Sequence, residues 1–275
     1  MRKTAALFAL LLGLCAAMAP VAPAQAATSH EQKIQAHPFY KALNEEFAKR
    51  SGHDLLEYID QNLQRDTALL AVVSLWLRDH TINQEDASKV NSLFFLTYAD
   101  TLLVMAEGYR VKGKPADYRA LTQTALFNLH IFELMASLDA ARCQDPTALA
   151  AVRKMVADRL GVFEAGYRMF PRDIVDGMQK AAIQDEFKNL LREPNIDICN
   201  FGQARLYDLS RTPGAKRRTV SDPRYPGGKR TVYVPPPGYA YSPAMVPTSQ
   251  WGDKRDKIIE EVTEEWGKRY NLALR

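Results

Sequence analysis

The sequence predicts a mainly α-helical protein: an antiparallel multi-helix bundle, with a short α-solenoid as the alternative arrangement, then an extended Pro/Tyr-rich arm and a C-terminal amphipathic helix. Three observations predict it. From about residue 38 to 200, apolar residues recur at the three- and four-residue spacing that gathers them on one helix face. The breaks between these runs are short and polar or prolyl, which suits antiparallel neighbours. Eight of the 15 prolines then fall between Phe201 and Gln250, where long helices cannot form.

The N-terminus comes first. Arg2 and Lys3 precede an apolar run from Ala5 to Leu14, and Ala24-Gln25-Ala26 offers the small-x-small pattern of a signal-peptidase site. Residues 1–26 therefore read as a secretory signal peptide cleaved near Ala26, and the mature chain is expected in the periplasm or secreted. The apolar run is shorter than the roughly 20 residues of a membrane span, and no later stretch is both long enough and free of charge, so no transmembrane segment is expected. Cys15 invites a lipoprotein reading, but Leu14 stands where acylation needs a small residue. The sequence has no twin-Arg signal and no Asn-x-Ser/Thr sequon, which fits a bacterial periplasm.

Residues 27–200 carry the bundle. Pro38 to Lys49 presents Phe39, Leu43 and Phe47 as one stripe, and Asp54 caps a stretch with Leu55, Leu56, Ile59 and Leu63. Leu69 to Leu77 is nearly all apolar, the mark of a short helix buried on most sides. After the polar Asn83-Gln84-Glu85-Asp86 break comes the longest run, Ala87 to Val111. Its Val90, Leu93, Phe94, Tyr98, Leu102, Met105 and Tyr109 form a wide apolar surface, which Gly113-Lys114-Pro115 stops. The next helix, about Ala116 to Ala140, brings Leu121, Ala125, Leu129, Phe132 and Met135. The spacing from Leu102 through Ala106, Tyr109 and Gly113 to Ala125 has something of a tetratricopeptide repeat. Tyr118, however, stands where a small residue packs, and no second copy follows at the repeat length.

Loss of the signal peptide leaves two of the three cysteines, Cys143 and Cys199, and in an oxidising compartment a lone pair reads as a disulfide. Asp145-Pro146 is an N-cap followed by proline at the first helical position, after which Leu149, Val152, Val156, Leu160, Phe163 and Tyr167 recur at helical spacing up to Pro171. A second helix, about Arg172 to Leu191, carries Ile174, Met178, Ala182, Phe187 and Leu190 on one broad face, and Pro194 ends it. Two helices joined at a tight break lie antiparallel, returning the chain near Cys199 to the level of Cys143. Closing a loop of about 57 residues stabilises by roughly 4 kcal/mol in the chain-entropy model. A redox or metal-binding role has less support, because no Cys-x-x-Cys and no nearby His is present.

Residues 201–250 form the arm. Eight Lys and Arg face only Asp208 and Asp222, a local balance of +6. The formal charge of +4 falls to about +2 when Arg2 and Lys3 leave, so the rest of the mature chain is about −4. Arg218-Thr219-Val220 and Arg230-Thr231-Val232-Tyr233-Val234 are short β-prone runs separated by Asp222-Pro223 and Pro226-Gly227-Gly228, the pattern of a small β-hairpin. Pro235-Pro236-Pro237-Gly238 runs extended. Such an arm can wrap the bundle and bury its tyrosines, or it can recognise an anionic partner through Lys216, Arg217, Arg218, Arg224, Lys229 and Arg230, with Tyr225 and Tyr233 supplying contact area. Residues 251–275 form the last helix. Ile258, Val262, Trp266 and Tyr270 make its stripe, and Glu264 and Glu265 precede Lys268 and Arg269 at the favourable four-residue offset on its outer face. It is expected to dock on the bundle.

For function, 275 residues at 47% hydrophobic and 25% charged exclude a collagen, a disordered chain and a small disulfide scaffold. The overall charge is too balanced to predict nucleic-acid binding. Gly108 to Lys114 fits the first part of a phosphate-binding loop, but Pro115 replaces the magnesium-holding Ser or Thr. His130 and Glu133 have the spacing of a bundle metal site without the second pair such a site needs, so His130 reads as a hydrogen-bonded or rim histidine. Glu45 and Glu46, or Asp185 and Glu186, are adjacent and read as solvated faces. No metal, cofactor or catalytic residue is predicted. The leading reading is a non-enzymatic binding or assembly protein of the cell envelope whose partner is an anionic envelope component or a protein. An enzyme acting on an envelope polymer between bundle and arm, and a periplasmic small-ligand carrier, are the alternatives.

Overall fold

Helix starts fall where the sequence supplies acceptors for otherwise unpaired N–H groups. His37 Nδ1 accepts from Phe39 N with Pro38 next to it, Asp66 Oδ1 accepts from Ala68 N, Asn91 Oδ1 from Leu93 N, and Asn195 Oδ1 from Asp197 N. The computed structural model describes residues 29–50, 52–84, 90–188, 194–221 and 228–274. Those residues form twelve α-helices and one two-stranded antiparallel sheet, a mainly α, multi-helix fold as the periodicity predicted. The segment read as a signal peptide lies outside the described residues. So do Arg224, Tyr225 and Leu190, and so do the side chains of Phe187 and Arg230.

The helices are α1 (Ser29–Gln35), α2 (Pro38–Phe47), α3 (Gly52–Arg65), α4 (Leu70–Asp79), α5 (Ser92–Val111), α6 (Pro115–Arg142), α7 (Thr147–Ala157), α8 (Leu160–Met169), α9 (Arg172–Lys188), α10 (Ile196–Cys199), α11 (Gln203–Arg211) and α12 (Trp251–Ala273). Strands β1 (Lys216–Ser221) and β2 (Lys229–Val234) form the expected hairpin. Several boundaries differ from expectation. Helix α3 begins at Gly52, which puts Asp54 inside its first turn and not at its cap. The longest helix is α6, not the run before it, and α5 begins only at Ser92, where Asn91 caps it. The run from Leu149 to Tyr167 is two helices. It breaks at Asp158-Arg159, where Asp158 is held by Lys154 and the Arg159 guanidinium is drawn to the Asp100 carboxylate at 2.7 Å. Gly113 adopts a positive φ of 66° and closes α5 through its N–H to Arg110 O, so the glycine-lysine resemblance to a phosphate loop is a helix stop.

The chain divides into two units. The first takes residues up to 135, 159–193 and 262–275. In it α4 packs against α1, α2 and α5, and α3 packs against α5. Trp76 is fully buried, stacks on His80 at 3.8 Å, meets Phe47 and Phe94 edge-on, and donates from Nε1 to Asn44 Oδ1. Tyr40, not Phe39, is the buried aromatic of α2 and donates to Asp79, while α1 is tied down by Glu31 pairing with Arg78 at 2.6 Å. Among the described side chains of α9 the buried ones are Val175, Met178, Ala182 and Glu186, so Glu186 is not on the solvated face expected of it, whereas Ile174, expected on the apolar face, is exposed.

The second unit takes 136–158 and 194–261. In it α7 packs against α10 and α11, and β2 packs against α11. Cys143 and Cys199 are bonded, with Cα atoms 5.6 Å apart. The bridge was expected, but the reason was not the one inferred. The chain between the cysteines runs through α7, α8 and α9 rather than a two-helix hairpin, and it is α10 against α7 that brings Cys199 to the end of α6.

Candidate functional site

The arm is positioned from its base. Asp145 caps two helices at once. Its Oδ1 accepts from Thr147 N and Thr147 Oγ1, and its Oδ2 accepts from Ala204 N, while Thr147 Oγ1 itself accepts from Gln203 N. These donors hold the carboxyl below its usual range even though burial acts in the opposite direction. Gly202 lies so close that a Cβ there would overlap the Asp145 carboxylate. The returning end of the arm is stitched to the disulfide segment: Gln144 N donates to Ala244 O, Val246 N to Arg142 O, and Gln144 Nε2 to Met245 O. Tyr239 donates to Asp208 Oδ2 at 2.7 Å, and desolvation first, then that carboxylate beside it, push the phenol up to about 12. Arg142 lies over the Trp251 ring, and Arg153 pairs with Glu261.

Between these anchors stands the hairpin. Lys216 faces Val234, Arg217 faces Tyr233, Arg218 faces Val232, Thr219 faces Thr231, Val220 faces Arg230 and Ser221 faces Lys229. Because successive residues of a strand alternate between the two faces, Lys216 and Arg218 share one face with Val232 and Val234. Arg217 lies on the other with Tyr233, Thr231 and Lys229. Lys216, Arg217, Arg218 and Lys229 are exposed, and Tyr233 is half-buried. Among the described residues none of these four cations has an ion-pair partner. Lys216, Arg217, Arg218 and Lys229 are thus brought onto one small sheet but divided between its faces. Arg224 and Tyr225 lie outside the described residues, and for Arg230 only the backbone register is described. The exposed Tyr207 on α11, covered by Arg211, adds an aromatic-cationic pair that sequence reading passed over, although the four-residue spacing carries the signal.

Described residues line clefts in both units. One, of about 300 Å³, lies against the disulfide and has Gln144, Asp145 and Tyr241 among its walls; its carboxylate is the one already engaged in capping. The other, of about 210 Å³, is lined by Arg50, Asp54, Glu57, Tyr58 and Gln61 in the first unit. No group of three His, Cys, Asp or Glu among the described residues could hold a metal ion, and no described helix is long and apolar enough to cross a membrane.

A buried polar cluster in the first unit was missed. Glu133 accepts from Trp266 Nε1 at 2.7 Å on one oxygen and from Arg269 Nη2 on the other, so Arg269 is not the solvated partner of Glu265 that its spacing suggested; Lys268 takes Glu265 instead. Burial outweighs the Arg269 charge and raises the Glu133 carboxyl. His130, one turn away, is neither hydrogen-bonded nor at a rim. It is wholly buried, its ring lies 4.7 Å from Trp266 and 5.3 Å from Phe163, and neither nitrogen has a partner among the described residues. Burial, helped by the nearby Arg269 charge, lowers its pKa to about 3. The available signal was a carboxylate in the middle of the apolar stretch of α6, which requires a cation or donor from elsewhere. No protein family, curated protein or solved structure matches the chain.

Proposed function

We propose that the chain is an exported, non-enzymatic binding or assembly protein of the bacterial cell envelope that engages an anionic partner through its 201–250 arm. The observation that carries this reading is the set of exposed cations Lys216, Arg217, Arg218 and Lys229, without an ion-pair partner among the described residues, on a hairpin whose base is fastened by a disulfide, a double cap and a backbone stitch. Exposed cations with no ion-pair partner among the described residues keep their full charge for an external one, and a fastened base reduces the ordering that binding would otherwise require. Export is supported by the Arg2-Lys3, Ala5-to-Leu14 and Ala24-Gln25-Ala26 succession together with the Cys143–Cys199 bond, which persists in oxidising compartments.

The test is association of the purified mature protein with envelope fractions across a salt series, against a variant in which Arg217, Arg218, Lys229 and Arg230 are replaced by serine. The native protein is expected to bind and to release as salt rises, and the variant to bind weakly at every salt concentration. Equal binding by both removes the arm as the contact. Sequencing the N-terminus of the exported protein is expected to read from Ala27.

A further inference from the structure

Resting on the reading above, we infer that the anionic partner is an acidic, extended polypeptide segment that adds as a third strand along β1. The hairpin has two strands, and among the described residues β1 pairs with no strand but β2. It is β2 that packs against α11; Lys216, Arg217, Arg218 and Thr219 of β1 are all exposed. A strand paired on one edge only keeps the outward N–H and C=O groups of its other edge available, a template for strand addition.

Charge decides what can use that edge. Lys216, Arg217 and Arg218 are consecutive, so they alternate between the two faces of the sheet. A flat anionic surface such as a lipid headgroup layer meets one face at a time and leaves either Arg217 or the Lys216 and Arg218 pair unmatched. An added strand lies in the plane of the sheet and sends its own side chains to both faces, so three consecutive carboxylates meet all three cations as direct cross-strand neighbours. Opposite Thr219 and Val220 the same strand wants uncharged, β-branched residues. In antiparallel addition the recognised segment therefore reads, from its N-terminus, two β-branched residues and then three acidic ones. A second copy of this chain is a poor occupant, since it would bring another Lys-Arg-Arg triad into the same sheet.

The experiment measures binding of the mature protein to a labelled Val-Thr-Glu-Glu-Glu peptide by fluorescence anisotropy. The comparison probes are the same peptide N-methylated at alternate residues, inorganic polyphosphate, and phosphatidylglycerol vesicles. Strand addition expects salt-sensitive binding of the parent peptide, a loss of at least about tenfold on N-methylation, which removes backbone donors but no charge, and a similar loss for Arg217→Glu and for Arg218→Glu. The two substitutions act on opposite faces, and unchanged far-ultraviolet circular dichroism establishes that each variant is folded. Equal binding of the N-methylated peptide, or binding to polyphosphate or vesicles alone, overturns strand addition and leaves the anionic-partner reading standing. Salt-sensitive binding to none of the probes overturns both.

Discussion

The two units of this chain hold themselves together by different means. Every aromatic side chain that is buried among the described residues, from Tyr40 and Trp76 through Phe132 and Phe163 to Trp266 and Tyr270, belongs to the first unit. There, large rings interlock around a few neutralised charges. The second unit buries aliphatic side chains such as Ala148, Val152, Ile198 and Leu209, and it adds a covalent bond, a carboxylate shared by two helix starts and a backbone stitch. Apolar area is the main source of folding free energy. A unit that buries no large ring gains less from each buried side chain, and cross-links of these kinds restrict its chain instead.

Trp266→Ala strikes the first unit hardest. It removes a fully buried ring and the donor to Glu133, and it is expected to cost about 3–5 kcal/mol in denaturant unfolding. If it costs less than about 1 kcal/mol, the aromatic interlock is not what holds that unit. Removing the bridge with Cys143→Ala and Cys199→Ala tests the other side, with an expected loss of about 2–5 kcal/mol. Hydrogen exchange sharpens the contrast: protection is expected to fall in 196–211 and to stay unchanged in 92–111. Equal losses in both would mean that the units unfold as one.

The third test uses acid. The folded pKa of His130 is lowered from 6.5 to about 3, so as pH falls the unfolded chain takes up this proton first. The titration of His130 therefore adds no penalty above pH 6.5, and stability drains as pH falls from there toward 3, by about 2 kcal/mol at pH 5. The raised Glu133 carboxyl works in the opposite sense, since the folded state protonates it first and gains stability as pH falls. His130→Leu isolates the histidine part: melting temperature at pH 7.5 is expected to hold or rise, and its drop between pH 7.5 and 5 to shrink.

Two smaller effects complete the comparison. Gly202→Ala drives a methyl into the Asp145 carboxylate and weakens both caps, at about 1–2 kcal/mol, read as an earlier thermal transition. Lys216→Glu with Arg218→Glu is expected to change stability by less than about 0.5 kcal/mol, because these exposed cations have no partner to lose. A large loss would mean that the hairpin's charges serve its fold.

Helical periodicity, the two β-prone runs, the cysteine pair and the stripe of α12 were legible in the sequence because each is a local pattern or a count. What was hidden depends on partners far along the chain. The Asp158-Arg159 break interrupts an apolar spacing that continues through it, and the carboxylate that draws Arg159 out is Asp100. Arg269 has two candidate carboxylates, Glu265 four residues away and Glu133 far upstream, and spacing argues only for the nearer. His130 reads from sequence as a hydrogen-bonded or rim group because nothing local announces that Phe163 and Trp266 enclose it. At the arm, composition located the charge, while the division of Lys216, Arg217 and Arg218 between two faces required the register.

The bond from Trp266 to Glu133 spans 133 positions, and that distance sets an order of events during synthesis. Residues 29–135 leave the ribosome with an unfinished core, and the ring that closes it follows only after the arm and both cysteines have been made. Until then His130 and Glu133 sit in water and titrate as ordinary side chains, and the apolar face of α6 is open to chaperones and to other chains. The last described helix therefore completes a core begun by residues 29–135, and it can do so only when almost all of the chain has been translated.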